Sequence, residues 1–174
     1  MKSEVNICAY SPNGRLLAIG FSGGAISLIN TESWLRVRDL AGHDRTVTYL
    51  SFSPDNAQLV SASVDKLVKV WNVKTGALEH TLDDQSETVA CIIYSPDGAR
   101  IAAASHDSTV RVYNRPSMNV ALELKGHTGA VKSVTYSPSG NLMATASYDW
   151  TVRLWDPKTG LQRHVMRGHT AWVT

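Results

Sequence analysis

Apolar and polar residues alternate with a period of two along most of this chain. Val68-Lys69-Val70-Trp71, Val110-Arg111-Val112-Tyr113 and Val152-Arg153-Leu154-Trp155 show it most clearly. β-branched and aromatic residues at every second position fit a pleated sheet rather than a helix. The pattern predicts strands over 47–53, 58–63, 67–73 and 77–82, with counterparts at the same places elsewhere in the chain. Turn chemistry separates them. Ser-Pro-Asp-Gly sets φ with Pro, bonds its own backbone through Asp and accepts positive φ at Gly, and Lys-Thr-Gly at 74–76 and 158–160 marks a second turn.

The turns recur at a fixed interval. Tetrapeptides starting at Ser11, Ser53, Ser95 and Ser137 read SPNG, SPDN, SPDG and SPSG, each 42 residues after the last. Gly42-His43, Gly126-His127 and Gly168-His169 keep the same count, with Asp84-Gln85 at the missing step. So do Trp71-Asn72, Tyr113-Asn114 and Trp155-Asp156, with Ile29-Asn30 as a degraded first copy. Val5, Val47, Val89, Val131 and Val173 follow in phase. Four short strands per period predict a four-stranded antiparallel sheet repeated four times.

These residues closely resemble the WD-repeat family of β-propellers over essentially the whole chain, in units of about 1–42, 43–84, 85–126 and 127–168, with 169–174 entering a further unit. The resemblance implies an all-β fold, a propeller arc of four blades that is expected to be an incomplete ring. Two ways of completing it stand open: a fragment of a longer propeller, or two chains closing an eight-bladed ring.

His, Ser or Thr, and Asp recur at fixed spacing, and composition alone would allow a nucleophile, a base and an orienting carboxylate. The resemblance implies a structural role instead. It assigns His43-Ser61-Asp65-Trp71 and His127-Thr145-Asp149-Trp155 to hydrogen-bonded tetrads that tie the loop before the first strand to the second and third strands. A buried Trp N–H needs an acceptor, and a hydroxyl serves as one while donating to an imidazole. The third unit departs, reading Gln85, Ala103, Asp107 and Tyr113. The first reads Ile19, Gly23 and Ile29, with Met1 where the His should stand. Those two blades are expected to be the less rigid. No catalytic residue, cofactor or metal site is expected: there is no GxxxxGK[ST], no GxGxxG after a strand, no HExxH and no paired CxxC. His80, His106 and His164 fall outside the repeat and match no metal-ligand spacing.

In peptide-binding members of the family, contacts come from positions three and five after the His and from the residue before the tetrad Asp. Counted onto this chain, the resemblance points to Thr46, Thr48 and Val64, to Thr88, Ala90 and His106, and to Ala130, Lys132 and Tyr148. Glu4, Asn6 and Ser22 are the first unit's equivalents, and Trp172 and Thr174 begin the next. Tyr148, Lys132 and Trp172 stand out as aromatic and cationic anchors, with Trp150 beside them.

Composition narrows the class. The chain has 174 residues, 43% hydrophobic and 18% charged, which supports a core and excludes a disordered tail. A net charge of +2 is too small to argue for nucleic acid, so RNA binding through Lys69, Arg111 and Arg153 is not expected. No apolar stretch is long enough for a membrane span or a signal peptide, so an intracellular setting, cytoplasmic or nuclear, is expected. Cys8 and Cys91, isolated on apolar runs, are expected to be buried thiols. The function implied is a non-enzymatic scaffold binding other proteins or peptides. The alternative is a recognition or regulatory part of a larger catalytic assembly, such as a ubiquitin ligase or a chromatin complex. A cullin-receptor role is weakened because Lys74 and Lys158 stand where that class usually carries Arg.

Overall fold

A computed structural model describes residues 4–174, and Met1 lies outside the described residues. Among the described residues there are sixteen strands and no helix. The first blade is β1 (Val5–Tyr10), β2 (Leu16–Phe21), β3 (Ile26–Asn30) and β4 (Arg36–Leu40). The second is β5 (Val47–Phe52), β6 (Gln58–Ser63), β7 (Val68–Asn72) and β8 (Leu78–Leu82). The third is β9 (Val89–Tyr94), β10 (Arg100–Ser105), β11 (Val110–Asn114) and β12 (Val120–Leu124). The fourth is β13 (Val131–Tyr136), β14 (Met143–Ser147), β15 (Val152–Trp155) and β16 (Gln162–Met166). Each is a four-stranded meander with strands in sequence order, as the period-two pattern predicts.

The Ser-Pro turns close β1–β2, β5–β6, β9–β10 and β13–β14 by one device. The Ser hydroxyl accepts the amide five residues on, as in Leu16 N to Ser11 Oγ at 2.9 Å and Gln58 N to Ser53 Oγ at 2.9 Å. The fourth turn residue has positive φ in every copy: 71° at Gly14, 71° at Gly98, 69° at Gly140 and 61° at Asn56. Asn is the residue that tolerates this conformation best after Gly, so SPDN builds the same turn as SPDG.

The chain divides into two compact units, one ending at Val89 and one spanning Ala90–Thr174. In the first, blade 1 lays one face on blade 2. Ala18, Ile26, Leu28, Leu40, Val47, Leu50, Phe52, Leu59 and Trp71 form the core, with Ile7 and Ala9 packed against it. Each large side chain fully buried there contributes about 2 kcal/mol. The approach is close enough to demand glycine: at Gly24, with φ of 87°, a Cβ would lie 2.1 Å from the His43 carbonyl oxygen. In the second unit β10 packs on β13, and the Cys91 thiol lies 3.6 Å from the Val134 carbonyl oxygen.

Cys91 is buried as expected, but Cys8 is exposed, and neither is in a disulfide. The correction follows from the pleat. On β1, Ile7 and Ala9 turn toward blade 2, which sends Cys8 and Tyr10 to the other face, and the register shift between Val5 and Ile7 brings Val5 there too; Tyr10 is 60% and Val5 62% exposed.

Candidate functional site

Blades 2 and 4 each hold a hydrogen-bonded set of His, hydroxyl, Asp and Trp side chains. Trp71 Nε1 donates to Ser61 Oγ at 2.8 Å, and Ser61 Oγ lies 2.7 Å from His43 Nε2. The ionised Asp65 carboxylate beside Nδ1 can only accept, so the single proton of the neutral imidazole sits on Nδ1 and the Ser61 hydroxyl donates to Nε2. That Nδ1 faces Asp65 Oδ2 at 2.8 Å. In blade 4, Trp155 Nε1 donates to Thr145 Oγ1 at 2.9 Å, His127 Nε2 lies 2.7 Å from Thr145 Oγ1, and His127 Nδ1 lies 2.8 Å from Asp149 Oδ2.

The electrostatics fit a static clamp. Burial disfavours the imidazolium of His43 and His127 and outweighs their carboxylate partners, so both pKa values fall below the ordinary one. Burial works to raise Asp149, but bonds from the Thr151 hydroxyl, His127 and the Thr128 and Thr151 amides hold its carboxyl well below the usual range. Asp65 is lowered in the same way, against the effect of burial, by the Leu67 amide and His43. Ser61 is fully buried and Thr145 is 1% exposed, so neither hydroxyl reaches a substrate.

In blade 3 the Asp that is kept at this position, Asp107, takes part in an ion pair. Asp107 Oδ2 takes Arg111 Nη1 at 2.8 Å, and Arg111 Nη2 reaches Glu123 Oε1 at 3.1 Å. Arg153 Nη1 likewise donates to Gln162 Oε1 at 2.6 Å, and Lys69 is only 8% exposed. The three basic residues that recur on the third strands are therefore held within their blades and form no solvent-facing basic stripe.

The candidate contact residues gather at the end of the strands where the tetrad loops lie. In the first unit, Thr46 Oγ1 donates to the Ser22 carbonyl at 3.1 Å, the Val64 amide to the Thr46 carbonyl at 3.0 Å, and the Glu4 amide to Ser22 Oγ at 3.2 Å. Asn6 Nδ2 donates to the Val47 carbonyl at 2.8 Å, and Thr48 Oγ1 donates to the Val89 carbonyl. These two side chains tie successive first strands together. Thr88 is half-buried in the same unit.

The second unit builds something different. Pairing shifts register between Val131 and Ser133, as it does between Val47 and Tyr49 and between Val5 and Ile7, so Lys132 is the extra residue of a β-bulge. A bulge re-aims a side chain out of the sheet's alternation. Lys132 Nζ lies 3.1 Å from His106 Nε2 and 5.3 Å from the centre of the Tyr148 ring. Tyr148 stacks on Trp172 with centroids 4.5 Å apart, and His106 lies 6.4 Å from Tyr148. Two backbone bonds hold the frame: the Tyr148 amide to the Ala130 carbonyl at 2.9 Å, and the Val173 amide to the Ser147 carbonyl at 3.2 Å. Trp172 is 66% exposed. Ala90 is half-buried and contributes no polar group, and Thr174 is exposed.

Trp150 is 51% exposed and occupies the positive-φ turn position, at 68°, which Lys66 and Ser108 fill in blades 2 and 3. It is not part of the ring cluster. The His106–Lys132 bond escaped sequence reading although both residues were marked. The signal is the register itself: the residue before one unit's Asp stands beside the fifth residue after the next unit's His. Among the described residues, no group of three His, Cys, Asp or Glu is placed to hold a metal, and no helix is long and apolar enough to cross a membrane.

The family model described as "WD domain, G-beta repeat" matches residues 34–72, 76–114 and 118–156. The chain is similar to the chromatin assembly factor 1 subunit FAS2 homolog of Oryza sativa subsp. japonica, 38% identical over 87 residues, which is 47% of this chain and 17% of that protein. It is similar to apoptotic protease-activating factor 1 of Mus musculus, 36% identical over 72 residues, 41% of this chain and 6% of that protein. It is also similar to elongator complex protein 2 of Schizosaccharomyces pombe, 40% identical over 70 residues, 37% of this chain and 9% of that protein. Each of these matches spans less than a fifth of the relative's length.

Proposed function

This chain belongs to the WD40 repeat family, and from that premise we propose that it is a non-enzymatic scaffold that binds a protein or peptide at the tetrad-loop end of its blades. The observation that carries the reading is the cluster of Lys132, Tyr148 and Trp172: a cation seated on one aromatic ring, with a second, exposed ring stacked beside it. Stacked rings present apolar area at low entropic cost, and aromatic and cationic side chains dominate binding energy at protein interfaces. The tetrads serve as supports for this end. Their hydroxyls are covered, and their imidazoles already have both nitrogens engaged.

Two of the matched relatives are named as a subunit of chromatin assembly factor 1 and as an elongator complex protein, which supports a place in a multiprotein assembly of the nucleus or cytoplasm. The exposed face of β1, with Val5, Cys8 and Tyr10, supports a further apolar partner there, either an additional blade or a second copy.

Affinity capture from cell extract with the 174-residue chain tests the reading against a Lys132→Ala/Tyr148→Ala double variant. A partner retained by the parent chain and lost from the folded double variant is the expected result. Equal capture by both removes the cluster from the interface.

A further inference from the structure

The second unit holds a cleft of about 630 Å³ whose lining includes Asp97, Arg100, Tyr136, Asn141, Pro157 and Lys158. These residues come from or flank the β9–β10, β13–β14 and β15–β16 turns. In a meander successive turns alternate ends, so this cleft opens at the opposite end of the strands from the Tyr148 cluster. Its volume is that of a ligand site.

One of the lining residues carries a polar atom without a partner. The Tyr136 hydroxyl is buried and has no hydrogen-bond partner among the described residues. A buried hydroxyl left unpaired costs roughly 1–3 kcal/mol. Burial pushes this phenol up to about 12, so it keeps its proton at neutral pH and is available as a donor. Arg100 and Asp97 line the same cleft as Tyr136.

The remaining groups define what an occupant must carry. Arg100 Nη1 donates to the Pro157 carbonyl at 2.6 Å, which fixes the guanidinium across the cleft. Lys158 is exposed at the rim. Asp97 opposes them, but its Oδ1 already accepts the Ser95 hydroxyl and, at 3.0 Å, the Ala99 amide. Two cations and an unanswered hydroxyl donor against one engaged carboxylate select a singly charged anion, and the Asp97 charge disfavours a dianion. The Asn141 amide, with both donors and an acceptor, suits the backbone of a chain that carries the anion.

We propose that this cleft receives the carboxylate of an acidic side chain on an extended partner peptide, with Arg100 and Lys158 supplying charge and the Tyr136 hydroxyl donating the hydrogen bond. It is a second site, independent of the aromatic cluster.

The test is a titration of the ¹⁵N-labelled 174-residue chain with N-acetyl-glutamic acid methylamide, and with its glutamine counterpart as the neutral control. The expected result is saturable shifts of the Ala99, Arg100, Asn141 and Lys158 amides with the acid and none with the amide. Tyr136→Phe, which keeps the ring, weakens the probe about tenfold, the worth of one hydrogen bond to a charged acceptor. Lys158→Gln weakens it too, and Tyr148→Ala leaves it unchanged. The proposal is overturned if the cleft amides do not shift, if the amide probe shifts them equally, or if Tyr136→Phe binds as the parent does. Inorganic phosphate binding there more tightly than the glutamate probe would overturn the assignment to a carboxylate.

Discussion

Tyr148 and Trp172 stack with their ring planes 20° from parallel, although 66% of Trp172 is open to solvent. An exposed indole held flat on a neighbouring ring is ordered in advance for the partner proposed above. Trp172→Ala removes an aromatic pair worth about 1 kcal/mol and no core contact. Urea unfolding should therefore shift by no more than that, while affinity for the captured partner falls about tenfold through loss of a large anchor. A stability loss several times larger, with affinity unchanged, would make the pair a structural brace.

Ser61 is the hub of its tetrad, so Ser61→Ala strands both the Trp71 indole N–H and His43 Nε2 in a buried site. Two orphaned polar groups predict a loss of about 2–4 kcal/mol in urea unfolding. Thr145→Val in blade 4 should cost a similar amount, because its oxygen makes the same two bonds. A loss below about 0.5 kcal/mol at either site would show that water replaces the hydroxyl.

The tetrad histidines also set a pH dependence. The folded pKa of His43 and His127 lies below the ordinary 6.5, so across the interval between the two values the unfolded chain binds more protons. Stability from these groups is complete above 6.5 and is lost as pH falls through that interval toward the folded value. Asp65 and Asp149, lowered from 3.8, add a second loss as pH drops below that value. Urea midpoints from pH 7.5 to 5 should fall steadily for the parent chain. They should stay flatter for a His43→Gln/His127→Gln double variant, which carries the residue that Gln85 supplies in blade 3. A parent profile without slope would refute the neutral assignment.

Hydrogen exchange should rank the blades. Strands β1 and β2 have one face largely open and no complete tetrad, so their amides should exchange faster than those of β5 and β6, which are mostly buried. Blade 3 lacks the tetrad but carries the Asp107–Arg111 pair, and its protection should fall between them. Equal protection of all four blades would remove the tetrad from the account of rigidity.

Much of this architecture is local, and for that reason legible in the chain. Strand periodicity, the Ser-Pro turns and the left-handed turn positions are decided within a few residues. Hence SPDN could be aligned with SPDG, and once the family resemblance supplied the tetrad, its members could be located by counting. Cys8 was misread because an apolar run marks a strand without saying which side of it is covered. Tyr136 and Arg100 carried no motif, and their significance appears only once two turns converge on one cleft.

The amino-acid sequence by itself determined the repeat, the four-stranded blade and the residues that clamp the loops of blades 2 and 4, because those interactions fall within one 42-residue unit. Tertiary structure alone decided that Lys132 leaves its sheet at a bulge to meet His106, 26 positions away and in the preceding blade. It alone left the Tyr136 hydroxyl without a hydrogen-bond partner among the described residues. Contacts between blades depend on how two twisted sheets seat against each other, and that seating is set by the packing of whole faces rather than by any short run of residues.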